Sequence, residues 1–514
     1  MKKTIIAASL TALAMGSAFA GASEYEANGQ TKIFDGTGSY PSGNSIKLIG
    51  GWHYDGNSET SGLDHSASNT NITLTGGTFD ELIGGNHIRM TEAGNDDLKI
   101  GNTHVTLSGE GSVTYFIGGS KANNADNTNL TTGNVTAVIS GGTVTGSAMS
   151  WGDKVSVIGG SYVKSTDNKD YGIPALTTAE TGDISLSISG GTFTGAVFGG
   201  SVADNYGKEQ ASDSSKPDLS ITTGVSSLLI EGGTFQSSNP EMPKDYDFGV
   251  FGGSAALGQK SSTESSGSSV IIDAKKAIDI KGRVVGGDLL GFGGSGKNAT
   301  SSTINGSTSV SITGSKKITT SESVIGGSLL HLTLDGESSS SSISGTSSVF
   351  VDAENATLGD EVIGGSYVRQ REPKVTNTAT VTVESTSVTI QNGTIEGNVI
   401  GGGKVNGLNG KISNTVNGDA SVTISGGTVK GVVIGGGHSK IGQGASGTME
   451  ADVKGQASIQ MTGGTVHGVI GGGLSYAYDQ TGAFVSTSSV GSSAVSISGN
   501  STVEAIKYLA LGDE

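Results

Sequence analysis

Apolar and polar residues alternate in short bursts along this chain, and each burst ends in glycine. A clear example reads Ser421-Val-Thr-Ile-Ser-Gly-Gly-Thr-Val-Lys-Gly-Val-Val-Ile-Gly-Gly-Gly437, and Ser185-Leu-Ser-Ile-Ser-Gly-Gly-Thr-Phe-Thr-Gly-Ala-Val-Phe-Gly-Gly-Ser201 repeats it. Val422 and Ile424 alternate with Thr423 and Ser425, the period of a half-buried strand. A Gly-Gly turn follows, then a short limb at Thr428 and Val429, and a third limb ending in Val433 and Ile434. Glycine disfavours a helix interior by about 1 kcal/mol relative to alanine, and these units carry several each. The pattern predicts three short strands per unit and no helix.

The doublet that closes each unit recurs at Gly50, Gly84, Gly118, Gly159, Gly199, Gly252, Gly286, Gly326, Gly364, Gly401, Gly435 and Gly471, each followed by a second glycine. The steps are 34, 34, 41, 40, 53, 34, 40, 38, 37, 34 and 36 residues. Such a period marks stacked units, none able to bury its apolar face alone. The expected fold is all-β, a parallel β-helix (β-solenoid) of about 12–13 coils, with polar return loops on one edge. At about 4.8 Å per coil it would form a rod on the order of 60 Å long. Glycine at the corners suits sharp turns, often at positive φ, and close passage of stacked backbones.

The units are not uniform. Gly-Gly-Thr corners carry Thr78, Thr143, Thr192 and Thr234, then Thr428 and Thr465, with Gly393-Thr394 a variant. Between about 260 and 365 that corner is lost, and Ser-rich runs such as Ser338–Ser342 introduce each unit. The expected organisation is a signal peptide at 1–20, a leader or cap at 21–45, a solenoid block at 46–253, a Ser-rich variant block at 254–365, and a further block at 366–514. The residue after the doublet is Ser at 120, 161, 201, 254, 328 and 366, with Asn86 and Asp288 in equivalent places. Two readings stay open there: a small, turn-compatible residue, or a column of side chains hydrogen-bonded from coil to coil.

The chain has 87 glycines, 6 prolines, no cysteine and 15% charged residues. That much Gly and Ser would suggest disorder, but regularly placed Val, Ile and Leu supply a core once units stack. Glycine is not at every third position, which excludes collagen. The net charge of −17 carries no basic stripe, so nucleic acid is not an expected partner. Met1-Lys2-Lys3, an apolar run from Thr4 to Met15 and Ala18-Phe19-Ala20 before Gly21 read as a cleaved bacterial secretory signal. No later stretch reaches 18 apolar residues, so no transmembrane helix is expected.

Chemistry is sparse. The histidines at 53, 65, 87, 104, 331, 438 and 467 show no metal-ligand spacing. His87 and His438, just past doublets, are expected as exposed turn residues. The triple glycines end in Lys404, His438 and Leu474 where a calcium-binding repeat needs aspartate, and Asn95-Asp96-Asp97 reads as solvated loop. Arginine occurs only at 89, 283, 369 and 371. Asp360 and Glu361, with Arg369 and Arg371 downstream, form the best carboxylate–guanidinium concentration, and are the residues a glycan-cleaving enzyme would use. Adjacent carboxylates at a turn are more often simply exposed, and the expectation is no enzyme: no catalytic residues, no cofactor and no metal.

The signal peptide followed by Gly-, Ser- and Thr-rich units of the form Ser-Gly-Gly-Thr-Val-x-Gly-Val-Val-Ile-Gly-Gly-Gly resembles the passenger region of bacterial autotransporters and related surface adhesins. The resemblance implies display on, or release from, the surface of a Gram-negative cell, with adhesion to host surface glycans or proteins, or self-association. Such proteins close with a membrane β-barrel, whereas this chain stops at Leu509-Ala-Leu-Gly-Asp-Glu514. Either a barrel is encoded beyond residue 514, or the rod is exported and held by another partner; the first is the expectation. Binding is expected along the return segments at 54–70, 86–102, 120–133, 161–182, 201–222, 254–268, 328–347, 366–385, 403–417, 437–456 and 473–492. A surface-layer spacer and a polysaccharide-acting enzyme are the alternatives.

Overall fold

A computed structural model describes residues 24–34, 46–55, 64–89, 96–123, 128–148, 154–164, 177–205, 219–237, 249–258, 260–291, 299–333, 338–370, 376–477 and 484–504. Among these, every regular element is a strand. The strands stack in parallel, coil on coil, into a β-solenoid. The one antiparallel pairing among the described residues joins Ser147–Ala148 to Lys154–Ile158.

Each coil begins with the alternating limb. Ala420–Ile424 lies in register between Asn377–Ile390 and His438–Met461, so Val422 sits between Val388 and Ile459. Thr428–Ile434 supplies the second and third limbs. These limbs stack in a sheet of 22 strands, and the first limbs belong to a sheet of 30 strands among the described residues. The twelve glycine doublets form one hydrogen-bonded ladder, from Gly51 N–H to the Gly85 carbonyl through to Gly436 N–H to the Gly472 carbonyl. It runs unbroken through the Ser-rich units, as does the pairing of Leu228 with Val270 and of Val351 with Ile390.

Glycine serves two different ends in these coils. The second glycine of the Gly-Gly-Thr corner holds positive φ, 84° at Gly77 and 76° at Gly427, where any side chain is strained. The closing doublets need room instead: a Cβ on Gly286 would strike the Gly326 carbonyl oxygen and the Ser309 backbone.

The return segments lie along one edge, and among the described residues they are built largely of strands as well. Lys404–Val416 runs outward from the doublet and back, pairing with Tyr367–Gln370 and Asn377–Ile390 on one side and with His438–Met461 on the other. Outgoing and returning strands therefore build a two-layered arm beside the main coil. Alternate residues point between its layers: Ala379, Val381 and Val383 are buried while Thr378 and Thr380 are exposed.

The apolar side chains consequently do not share one spine. Val422, Ile424, Val429 and Val433 fill the main coil. Ile434, next to Val433, points the other way, into a second spine with Leu289, Leu329 and Tyr367. The arm has its own cores, one containing Leu98, Leu130 and Ile221 and another containing Leu330, Val381 and Ile412. In the coils where the second of these begins, at Leu290, Ile304, Leu330 and Ile343, the returning strands also carry Ser261, Thr263, Ser265, Thr300, Ser302, Ser339 and Ser341 at inward positions, all buried. This is where the Ser-rich runs go: alternate serines face inward.

Candidate functional site

At the doublet the chain leaves the third limb and enters the arm. The faces that these two columns turn away from the main core form a notch along the rod. One register position on the outgoing wall holds, coil by coil, His53, His87, Lys121, Tyr162, Val202, Ala255, Leu289, Leu329, Tyr367, Lys404, His438 and Leu474. Its middle is apolar and packed shut against Phe198, Phe251, Val285 and Ile325. Toward each end the notch carries buried charge.

Nearer the N-terminus, Lys121 Nζ lies 2.6 Å from Glu81 Oε1, with side chains 6% and 8% exposed. Its ammonium sits 5.4 Å and 5.7 Å from the ring centres of Tyr115 and Tyr162, within cation–π range. Burial pushes Lys121 below the usual lysine range. Nearer the C-terminus, Lys404 pairs with Glu361 and lies 5.0 Å from the Tyr367 ring. Asn398 Nδ2 donates to Glu361 Oε1 at 3.0 Å. Burial opposes the Glu361 charge, but Lys404 and these hydrogen bonds outweigh it and hold the carboxyl below its usual range. His438, next in the column, is pushed down to about 4 by burial and by the Lys404 charge.

A polar cleft of about 280 Å³ opens beside this pair, walled by Arg283, Glu322, Asp360, Tyr367, Arg369 and Asn406, with Ser321 and Gly359 at its rim. Arg283 lies 3.5 Å from Glu322. Ser323 Oγ donates to Asp360 Oδ2 at 2.7 Å.

The structure thus brings Asp360 and Arg369 into one cleft and takes Glu361 out of it: both carboxylates sit in the bend between Ala356–Leu358 and Val362–Ile363, and Glu361 closes on Lys404. Arg371 lies outside the described residues. Arg283 and Glu322 join the cleft from earlier coils, which spacing along one unit does not reveal. His87 and His438 are corrections: they are 0% and 4% exposed, because the outgoing segment is a strand packed into the notch and not a free turn. His87 Nδ1 instead lies 3.0 Å from His53 Nδ1. Of the acidic Asn95-Asp96-Asp97 run, Asp97 is an exposed strand residue accepting from Asn129 Nδ2 at 2.8 Å. Among the described residues no three His, Asp or Glu side chains gather as a metal site.

The residue after the doublet settles the question its repetition raised. Side-chain oxygens of Asn86, Ser120, Ser161, Ser201, Ser254, Asp288, Ser328 and Ser366 each accept the backbone N–H of the preceding coil, at 2.7–3.2 Å. These side chains are fully buried, so the ladder satisfies donors that no other strand reaches. Asp288 also accepts from Thr263 and Ser302 at 2.9 Å and 2.7 Å, and burial raises its pKa. From Gly403 onward the ladder is replaced by Asn414, which reaches the Ser366 and Lys404 carbonyls. A second ladder went unread in the sequence: Asn69, Asn102, Asn134 and Asp183 each accept a backbone N–H from the next coil at 2.9–3.0 Å. Its signal was present, as Gly-Asn or Gly-Asp immediately before the first limb at 101–102, 133–134 and 182–183.

No family model matches the chain, and no curated protein or solved structure matches it.

Proposed function

We propose that the chain is an exported, non-enzymatic rod that mediates adhesion or self-association at the surface of a Gram-negative cell. The observation that carries this reading is the arm: its strands stack in register on one edge, so each coil offers a peripheral segment at the same side of a stiff scaffold. Contacts spread over such a line are individually weak and collectively strong. The N-terminal signal at 1–20 supports export. The engagement of Glu361 by Lys404 and Asn398, and of Glu322 by Arg283, supports binding over hydrolysis. Deleting 165–176 or 206–218 singly and together, then scoring host-cell and cell–cell adhesion, tests it. Progressive loss with each deletion is expected; adhesion equal to wild type after both, and after the remaining peripheral segments, would sink it.

A further inference from the structure

We propose that the Arg283–Arg369 cleft holds one unit of a neutral, linear hexose oligosaccharide whose following units lie along the rod axis. This rests on the binding reading above and names a ligand for it.

The cleft's walls are planar, bidentate groups: two guanidiniums, two carboxylates and the Asn406 amide. Most ligand pockets are lined chiefly by apolar side chains; this one suits a ligand covered in hydroxyls, which accept from guanidinium and donate to carboxylate. Charged partners make such hydrogen bonds roughly twice as strong as neutral ones. The formal charges of Arg283, Arg369, Glu322 and Asp360 cancel, so the cleft selects neither anion nor cation. The chain's net charge of −17 repels a polyanionic glycan over longer range. A volume of about 280 Å³ admits a single hexose with its linkage oxygens.

The second observation is register. Arg369 pairs with Asn406, Asn406 with Lys440, and Lys440 with Tyr476. All four are partly or fully exposed, and Lys440 Nζ lies 5.7 Å from the Tyr476 ring centre. They form a line of about 14 Å, three steps of about 4.8 Å. An extended glycan advances by a similar distance per sugar, so successive units meet successive coils. The Tyr476 ring, 37% exposed, offers a stacking face at the far end.

Calorimetric titration of the full chain with neutral tetrasaccharides of glucose, mannose and galactose, their disaccharides, and tetragalacturonate tests this. Binding of at least one neutral tetrasaccharide is expected, at least tenfold tighter than its disaccharide, with tetragalacturonate at least tenfold weaker. Arg369→Gln, and separately Asn406→Trp, which fills the cleft, should each weaken binding at least tenfold while the circular dichroism stays that of a sheet. Tyr476→Ala should lower only the tetrasaccharide affinity. No binding by any neutral tetrasaccharide, or binding indifferent to both cleft variants, overturns the proposal. Adhesion assays on Arg369→Gln separate the two readings. Adhesion retained by it but lost on deleting peripheral segments rejects the cleft alone; adhesion unaffected by either rejects both.

Discussion

At the scale of single residues, the fold is held by groups that have no space or no substitute. Gly286→Ala forces a methyl onto the next coil's carbonyl, and a rigid sheet cannot yield there. A loss on the order of 3 kcal/mol or more is expected in denaturant unfolding. Ser254→Ala removes the acceptor of Ser201 N–H and a 3.4 Å hydroxyl contact with Thr223 Oγ1, leaving a buried donor without its bond, at about 1–3 kcal/mol. The paired variant of the Lys404–Glu361 site should behave differently from either single one. Lys404→Met alone strands a buried carboxylate, and about 3–5 kcal/mol should be lost. Adding Glu361→Leu should restore most of it; a double variant no better than the single would show that the charges are not what matters. His438 sets a pH window. Its folded pKa of about 4 lies below the ordinary 6.5, so the neutral form is the folded one. Its contribution is complete above pH 6.5 and is lost as pH falls toward 4, by about 3 kcal/mol at most. Beside it, Glu361 is held below the usual carboxylate range and Lys404 above the usual lysine range by their mutual pairing, so both stay ionised over most of that range. His438→Gln should flatten the acid limb of the stability curve, measured by melting from pH 7 to 4.

At the scale of the element, the coil is the unit, because every parallel pairing joins a strand to the coil before or the coil after. Removing residues 160–199 joins Gly159 to Gly200, two equivalent corners. It leaves Ser120 N–H facing Ser201 Oγ in place of Ser161 Oγ. The shortened chain should keep its sheet spectrum and a cooperative melt; an unfolded product would show coupling beyond nearest neighbours. This is also the scale at which the sequence was most legible. Val422 and Ile424 alternate openly with threonine, and the doublets mark the corner, so the three limbs and their stacking could be read directly. The arm could not. In Ser338–Ser342 both faces carry the same residue, so inward Ser339 and Ser341 look no different from outward Ser340. Polarity alternation, the usual sign of a strand, vanishes when the interior itself is lined with hydroxyls. Nor could the split between Val433 and Ile434 be seen, since a second apolar surface exists only once the arm has folded beside the coil. The cleft was half legible: Asp360 and Arg369 stood out as a rare concentration, but Arg283 and Glu322 reach it through stacking, from roughly two coils and one coil earlier.

At the scale of the whole molecule, the main-coil spine runs from Phe34 to Val469 among the described residues, while the arm's interior changes character midway. Where Thr263, Ser302 and the Asp288 carboxylate occupy it, hydration competes with burial as it does not among leucines, and contact energy per coil is lower. The shaft is therefore expected to be softest at mid-length, on the arm side. Native-state hydrogen exchange should find the arm amides of 261–265 and 338–343 opening before those of 377–383, while the three limbs of the main coil at the same height stay protected. Under lateral load the molecule would bend there first, hinging toward or away from its arm like a reed scored on one edge, without any coil coming apart.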